Sequence, residues 1–466
     1  MSRPLATLEA EFGPDRVTAD PDAMAPHLTD WFLAATGQAL AVLRPRTVAE
    51  VQAMLRACAR LSLGVVPQGG NTGLVAGALP DDHTGQVVLS LARLSAIRAL
   101  DPDDYSCTAE AGCILQTVKD AASAHDLLLP VSIGAQGSAQ IGGVISTNAG
   151  GLNVLRYGMM REQVLGLEVV LADGALWNGL STLRKNNLGP DLKQLFIGAE
   201  GTFGVITAAS LRLVPRPTAR AAALIGVPDL AALMRTFHVA RRACSDLLSA
   251  FEFLMPPAMA IARTAQPGAP AIAECGAYAL IELAAPGPVD LDALLTGFLE
   301  TALTAGHVTD GLIAASETQA ANIWALRESV NEGQARRGPF LRSDVSVRLS
   351  DLPRFVTSAS IAIETACPGA QAIAYGHFGD GNVHLNVLPP LGLDEPALAA
   401  TFERAKSVLN AEVDGFIGSI SAEHGVGRMK RADFEARLSP ESRLILKGIK
   451  GLLDPERRIN PGCQTG

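Results

Sequence analysis

Leu61-Ser62-Leu63-Gly64-Val65-Val66-Pro67-Gln68-Gly69-Gly70-Asn71-Thr72-Gly73-Leu74 opens as an apolar, strand-like run and ends in a loop crowded with glycine. The loop is too rich in glycine for a helix and too apolar at its flanks for a mobile linker, so it reads as a tight, positioned turn. Upstream, Thr47 and Glu50 form a capping box, and Val51, Leu55 and Cys58 recur at helical spacing. A helix feeding directly into the strand is therefore expected. Successive backbone N–H groups between Gly69 and Gly73 can form a nest for an anion such as a pyrophosphate without help from a lysine. A lone glycine cluster is more often a plain turn, and this one has neither the Walker spacing nor GxGxxG, which argues against ATP and ordinary dinucleotide folds.

Further glycine clusters lie downstream in IGAQGSAQIGGVISTNAGG (residues 133–151) and IGAEGTFGVIT (197–207), and several such loops suggest an extended ligand. In the second cluster Ser138, Gly142, Gly143, Ser146, Thr147 and Asn148 are small enough for a flat group to approach the backbone. GLEVVLADGALWNG (166–179) alternates around Asp173-Gly174 as a β-hairpin would. Pro215 and Pro217 break the pattern, which places a domain boundary near residue 216.

The chain has 466 residues, 48% of them apolar, which argues for two or three folded domains and against disorder. Its net charge of -9, with no stripe of Lys and Arg, speaks against a nucleic-acid partner. No apolar run is long enough for a membrane span, and with Glu9, Glu11, Asp15, Asp20 and Asp22 in the first thirty residues no signal peptide is visible. The seven cysteines form no CxxC pair and read as reduced thiols of a cytoplasmic protein.

The segment most informative for chemistry is AYGHFGDGNVHLNV (374–387), two apolar strands around Asp380-Gly381. With Asp380 and Gly381 as the central turn residues, His377 would face His384, close enough for both rings to share one ion. Tyr375 and Asn386 would lie on the same face. A single histidine in such a hairpin is usually just hydrogen-bonded; two in register, with Glu423-His424 downstream in SAEHGVGRMK (421–430), resemble the two-histidine, one-carboxylate set of an open metal site. Adjacent residues in extended chain face opposite ways, so Glu423 is assigned to the metal and His424 to proton transfer, although the reverse is equally compatible with the residues.

Taken in order, PQGGNTGL, IGGVISTNAGG, EGTFGVIT, GHFGDGNVHLN, SAEHGVG and the terminal DPERRINPG resemble the FAD-linked D-2-hydroxyacid dehydrogenases of the vanillyl-alcohol oxidase superfamily, particularly the branch acting on D-2-hydroxyglutarate. The likeness runs from about residue 40 to the C-terminus. It implies an α+β fold: a two-part FAD-binding domain of the vanillyl-alcohol oxidase type, an inserted α+β substrate (cap) domain, and a small C-terminal helical segment. The expected divisions are residues 1–215 for FAD, 216–415 for the substrate domain with the metal-binding hairpin, and 416–466 returning to the flavin.

By that resemblance Pro67, Gly69, Gly70, Asn71, Thr72 and Gly73 would hold the FAD pyrophosphate. Ser138, Gly142, Gly143, Thr147, Asn148, Glu200, Gly201 and Ile206 would line the rest of the cofactor, and Asn460 would return to the flavin. Covalent relatives carry histidine where this loop has Asn71, so FAD is expected to be noncovalent. His377, His384 and Glu423 match the metal ligands, with Zn(II) or a similar divalent ion expected, and His424 matches the catalytic base. Asn386 matches a substrate contact. The resemblance further implies a homodimer and electron-transfer flavoprotein as electron acceptor.

The segment Ser316–Arg337 reads as a helix, capped by Ser316 and Gln319 and stopped at Gly338-Pro339, with Arg327 and Asn331 on one face. In FLRSDVSVRL (340–349) a strand is expected in which Arg342, Asp344, Ser346 and Arg348 alternate with apolar neighbours. Arg348 reads as a surface ion-pair residue. Where hydroxyglutarate enzymes hold the distal carboxylate with arginine, threonine and lysine, this chain has Arg327, Asn331 and Arg342. Positive charge is retained, although a planar fork replaces a point donor. The expected substrate is a dicarboxylic D-2-hydroxyacid; D-lactate or another D-2-hydroxyacid is the alternative. Rival classes are a metal-dependent hydrolase and a flavin subunit that only relays electrons in a larger complex.

Overall fold

The computed structural model describes residues 3–31, 35–81 and 85–465. It contains two compact units. The first is built from both ends of the chain, Met1–Gly151, Gly158–Arg216 and Glu423–Gly466; the second comprises Leu152–Tyr157 and Pro217–Ala422. The chain enters the second unit first for the short segment Leu152–Tyr157 and crosses again between Arg216 and Pro217, just past the two-residue strand Val214–Pro215.

In the first unit, the helix Val48–Arg60 starts at Thr47, whose Oγ1 accepts the Glu50 N–H at 3.2 Å while the Glu50 carboxylate takes the Arg46 N–H. It leads into the strand Gly64–Gln68, which pairs in parallel with Gln86–Ser90 in a four-stranded sheet. A second, antiparallel sheet of five strands includes the hairpin Val164–Val170 and Leu176–Gly179, turned by Asp173 and by Gly174 at φ +79°.

The second unit is organised on a seven-stranded antiparallel sheet. Its central strands are covered on both faces, so Leu248–Leu254, Ala277–Ala285 and Asn382–Leu388 are buried throughout. Phe251 and Phe253 point to one core, lined by Phe237, Phe298 and Phe355. Leu254, Ile373, Tyr375 and Leu388 point to the other, beneath the helices Pro256–Ala265 and Glu317–Arg337. The longer of these starts at Ser316, whose side chain accepts the Gln319 N–H, and ends at Gly338, at φ +120°. Every sheet residue of the site described below belongs to this second face, because side chains alternate along a strand.

The histidine hairpin differs from its expected register. Tyr375, not His377, is opposite His384, with Ala374 opposite Leu385 and Ile373 opposite Asn386. A short 3-10 turn over Phe378–Asp380, closed by Gly381 at φ +83°, replaces the tight two-residue turn. The cause is Phe378, which is fully buried against Phe237, Phe251 and Phe253 and draws the chain into the opposite core before it can reverse. A slip of two residues preserves the face, so His377 and His384 remain neighbours with ring centroids 5.6 Å apart. The strand expected in 340–349 also contracts, to Val345–Ser346.

Candidate active site

In the first unit the glycine loop lies against the second glycine cluster. A Cβ on Gly70 would fall 2.1 Å from the Ser138 carbonyl oxygen, and one on Gly142 would fall 2.7 Å from the Ala111 Cβ. Glycine at 70 is thus required for the two segments to meet, and glycine at 142 for the helix Ile141–Ser146 to pack on Ala111. Gly73 and Gly143 face open space, and the buried Oε1 of Gln140, 3.6 Å from where a Gly69 Cβ would lie, has no hydrogen-bond partner. Open glycine faces beside an unanswered buried polar atom fit a flat, polyanionic cofactor such as FAD. Asn71, at φ +53°, turns its amide away to the carbonyls of Pro26 and Thr29, at 3.1 and 2.8 Å. Thr147 Oγ1 donates to the Gly143 carbonyl, Asn148 accepts the Arg161 N–H, and Gly201 packs beside Pro67. Thr72 is half-buried in the loop, and Ile206 is part of the apolar core.

Glu200 and Asn460 hold the C-terminal segment in place. Glu200 accepts the N–H groups of Val426 and Gly427 at 2.6 and 2.7 Å, and Asn460 donates to the carbonyls of Gly77 and Glu200. The segment they fix begins with Glu423, whose Oε2 accepts the Gly151 N–H at 2.9 Å, and His424, whose Nε2 lies 4.0 Å from Glu423 Oε1. Burial pushes the Glu200 carboxyl above its usual range, against the opposing pull of the Gly427 and Val426 N–H groups. The folded protein therefore retains this proton more tightly than the unfolded chain. Its stabilisation is complete below the ordinary carboxyl value and is lost as pH rises through the elevated folded value. Glu200→Gln removes that titration, so the variant's stability is expected to decline less than the wild type's from about pH 4 upward. Thermal melts across that interval test this; parallel slopes for the two proteins would exclude it.

In the second unit, one polar cluster occupies the sheet face beneath Glu317–Arg337. Arg327, 7% exposed, bonds through Nε to Glu252 Oε2 at 2.9 Å, and its guanidinium lies 4.8 Å from the Tyr375 ring centroid. The other Glu252 oxygen is 2.7 Å from His377 Nδ1. Tyr375 donates its hydroxyl to Asn331 Oδ1 at 2.8 Å and accepts from Asn386 Nδ2 at 3.1 Å. Burial holds that phenol above its usual range, in the neutral form able to donate. The helix and the hairpin thus bring Arg327, Asn331, His377, His384 and Asn386 together. Arg342 is exposed over Phe340, and Arg348 pairs with Asp351 at the surface.

Sequence reasoning missed two residues. Asp344, fully buried, accepts the Asn382 amide and the Ala422 N–H, and has an oxygen within 4.8 Å of a ring nitrogen of His384. The donor chemistry, nitrogen and carboxylate with open positions, fits a divalent ion such as zinc. Glu252 was visible only as a charge inside the apolar strand LSAFEFL.

Residues 39–179 match the FAD binding domain family, and 216–463 match the C-terminal domain of FAD linked oxidases. The fold is that of p-cresol methylhydroxylase with substrate bound, at a TM-score of 0.74 and 17% identity over 99% of this chain and 96% of that one. It also matches alkyldihydroxyacetonephosphate synthase, at a TM-score of 0.76 and 15% identity over 99% and 85%. Fold and family together thus define an FAD-dependent oxidoreductase of the vanillyl-alcohol oxidase type. Mitochondrial D-2-hydroxyglutarate dehydrogenase of Bos taurus is 39% identical over 98% of this chain and 82% of its own, and D-2-hydroxyglutarate dehydrogenase of Xanthomonas citri pv. viticola is 38% identical over 96% and 93%. The chain belongs to the FAD-linked D-2-hydroxyacid dehydrogenase family that contains these enzymes.

Proposed function

We propose that the protein oxidises D-2-hydroxyglutarate to its 2-oxoacid with the aid of a divalent metal. When bound, FAD supplies a hydride acceptor at N5, and the metal supplies Lewis acidity toward an α-hydroxyl. His377, His384 and Glu423 hold the metal, with Asp344 beside them. His424 takes the hydroxyl proton. Arg327 and Arg342 receive the distal carboxylate, with Asn331 and Asn386 fixing the acid through hydrogen bonds organised by Tyr375.

The observation that carries this reading is the buried cluster on one sheet face, where a paired arginine, two histidines and a Tyr-Asn network lie together. A hydrolase has no use for a flavin cradle, whereas an α-hydroxyacid needs both a cationic anchor and a site that acidifies its hydroxyl. The test is anaerobic flavin reduction by a panel of D- and L-2-hydroxyacids, with and without chelator. D-2-Hydroxyglutarate is expected to bleach the yellow protein fastest, and chelation to slow bleaching by at least about tenfold. Faster reduction by D-lactate would reassign the substrate, and indifference to chelator would remove the metal.

A further inference from the structure

Glu252 is the one charged residue in the strand Leu248–Leu254, and it is 1% exposed. A carboxylate inside a packed sheet is tolerated only where its charge is answered on the spot. Here each oxygen has its own partner: Oε2 accepts from Arg327 Nε at 2.9 Å, and Oε1 lies 2.7 Å from His377 Nδ1.

We infer that Glu252 is a positioning residue that ties the anchor of the substrate carboxylate to the metal site, setting the Arg327 fork and the His377 tautomer together. The inference rests on the function proposed above, in which Arg327 meets a substrate carboxylate and His377 a metal. With Nε engaged by Glu252 and the guanidinium stacked on Tyr375, the NH1 and NH2 groups are the donors Arg327 presents as a bidentate pair. A carboxylate oxygen 2.7 Å from Nδ1 keeps the proton on that nitrogen, which gives Nε2 the lone pair a metal requires. One carboxylate thus supports both ends of a dicarboxylic hydroxyacid's binding site, and its loss weakens both.

Glu252→Gln keeps the volume but cannot accept at both atoms, because one end of the amide is a donor. Turned one way it opposes the Arg327 N–H; turned the other it drives the His377 proton to Nε2. Zinc affinity, measured on the flavin-loaded protein by competition with a chromogenic chelator, is expected to weaken about 10- to 100-fold. The KM for D-2-hydroxyglutarate should rise as well, while flavin absorbance is unchanged. Glu282→Gln is the control: Glu282 is a comparably buried carboxylate on the adjacent strand, bonded to Arg220, Ser249 and Trp324, and its loss should leave zinc affinity and KM as they were. If Glu252→Gln does not accumulate folded, Glu252→Asp retains the charge but withdraws it by one methylene, with a loss of zinc affinity of about tenfold expected. Zinc affinity and KM within twofold of wild type in the folded variant would overturn the role of Glu252 alone. A wild-type protein with no affinity for zinc would instead overturn the proposed metal site, and this inference with it.

Discussion

His424→Ala is expected to lower kcat for D-2-hydroxyglutarate by about 10²- to 10⁴-fold, the usual contribution of a general base placed at the proton it removes. The surrounding segment is fixed by contacts of its own backbone and of Glu423. It is pinned by Glu200 on the Val426 and Gly427 N–H groups, and by the bond from the Gly151 N–H to Glu423. Gly425 and Gly427 adopt positive φ angles of +87° and +53°, and a Cβ on either would collide with Glu200 or with the Val75 carbonyl. These contacts are all retained in His424→Ala. Flavin absorbance, zinc content and melting temperature should match the wild type, so the loss is confined to the chemical step. The pH profile provides the second readout: the limb set by the base should disappear from kcat in the variant. Ordinary turnover by His424→Ala would transfer proton removal to another group, with Glu423 the first to examine.

What the sequence disclosed was local, and what it concealed depended on distant partners. The caps at Thr47 and Ser316 and the stop at Gly338 were legible because capping is decided within four residues. The glycine loops were legible because close approach of backbones leaves few alternatives to glycine. The hairpin register was not, since Asp380-Gly381 carries the signal of a tight turn while Phe378 answers to a core formed by Phe237, Phe251 and Phe253, more than a hundred residues upstream. Glu252 was concealed for the same reason, its partners lying 75 and 125 residues away in sequence. A charge in an otherwise apolar strand announces that a partner exists without saying which. Arg327 and Asn331 shared a helix face as expected, yet their attachment to Glu252 and Tyr375 required the sheet beneath them.

Lys450→Met is expected to destabilise the first unit by about 3–5 kcal/mol, as removal of one member of a buried ion pair does when the other is left behind. Lys450 is 1% exposed and Asp454, one helical turn further on, is fully buried, with Nζ and Oδ2 2.8 Å apart. The ammonium also donates to the carbonyls of Thr202 and Ile459, at 2.8 Å each. Burial draws the Lys450 pKa down, while Asp454 works against that shift. Methionine matches the length of the stem but provides none of these donors, leaving an ionised carboxylate and two carbonyls without it. Asp454 retains the N–H groups of Arg458 and Ile459, so its replacement by leucine should cost more than the loss of Lys450: it strands the ammonium and frees two backbone donors together. The bond to Thr202 joins the chain's C-terminal end to the EGTFGVIT segment next to Glu200, so loosening it should also release the flavin. A fall in melting temperature of roughly 6–20 °C, with flavin fluorescence appearing in the same transition, is the expected result for Lys450→Met. An unchanged melt would mean that this pair only balances its own desolvation and that other contacts hold the two chain ends together.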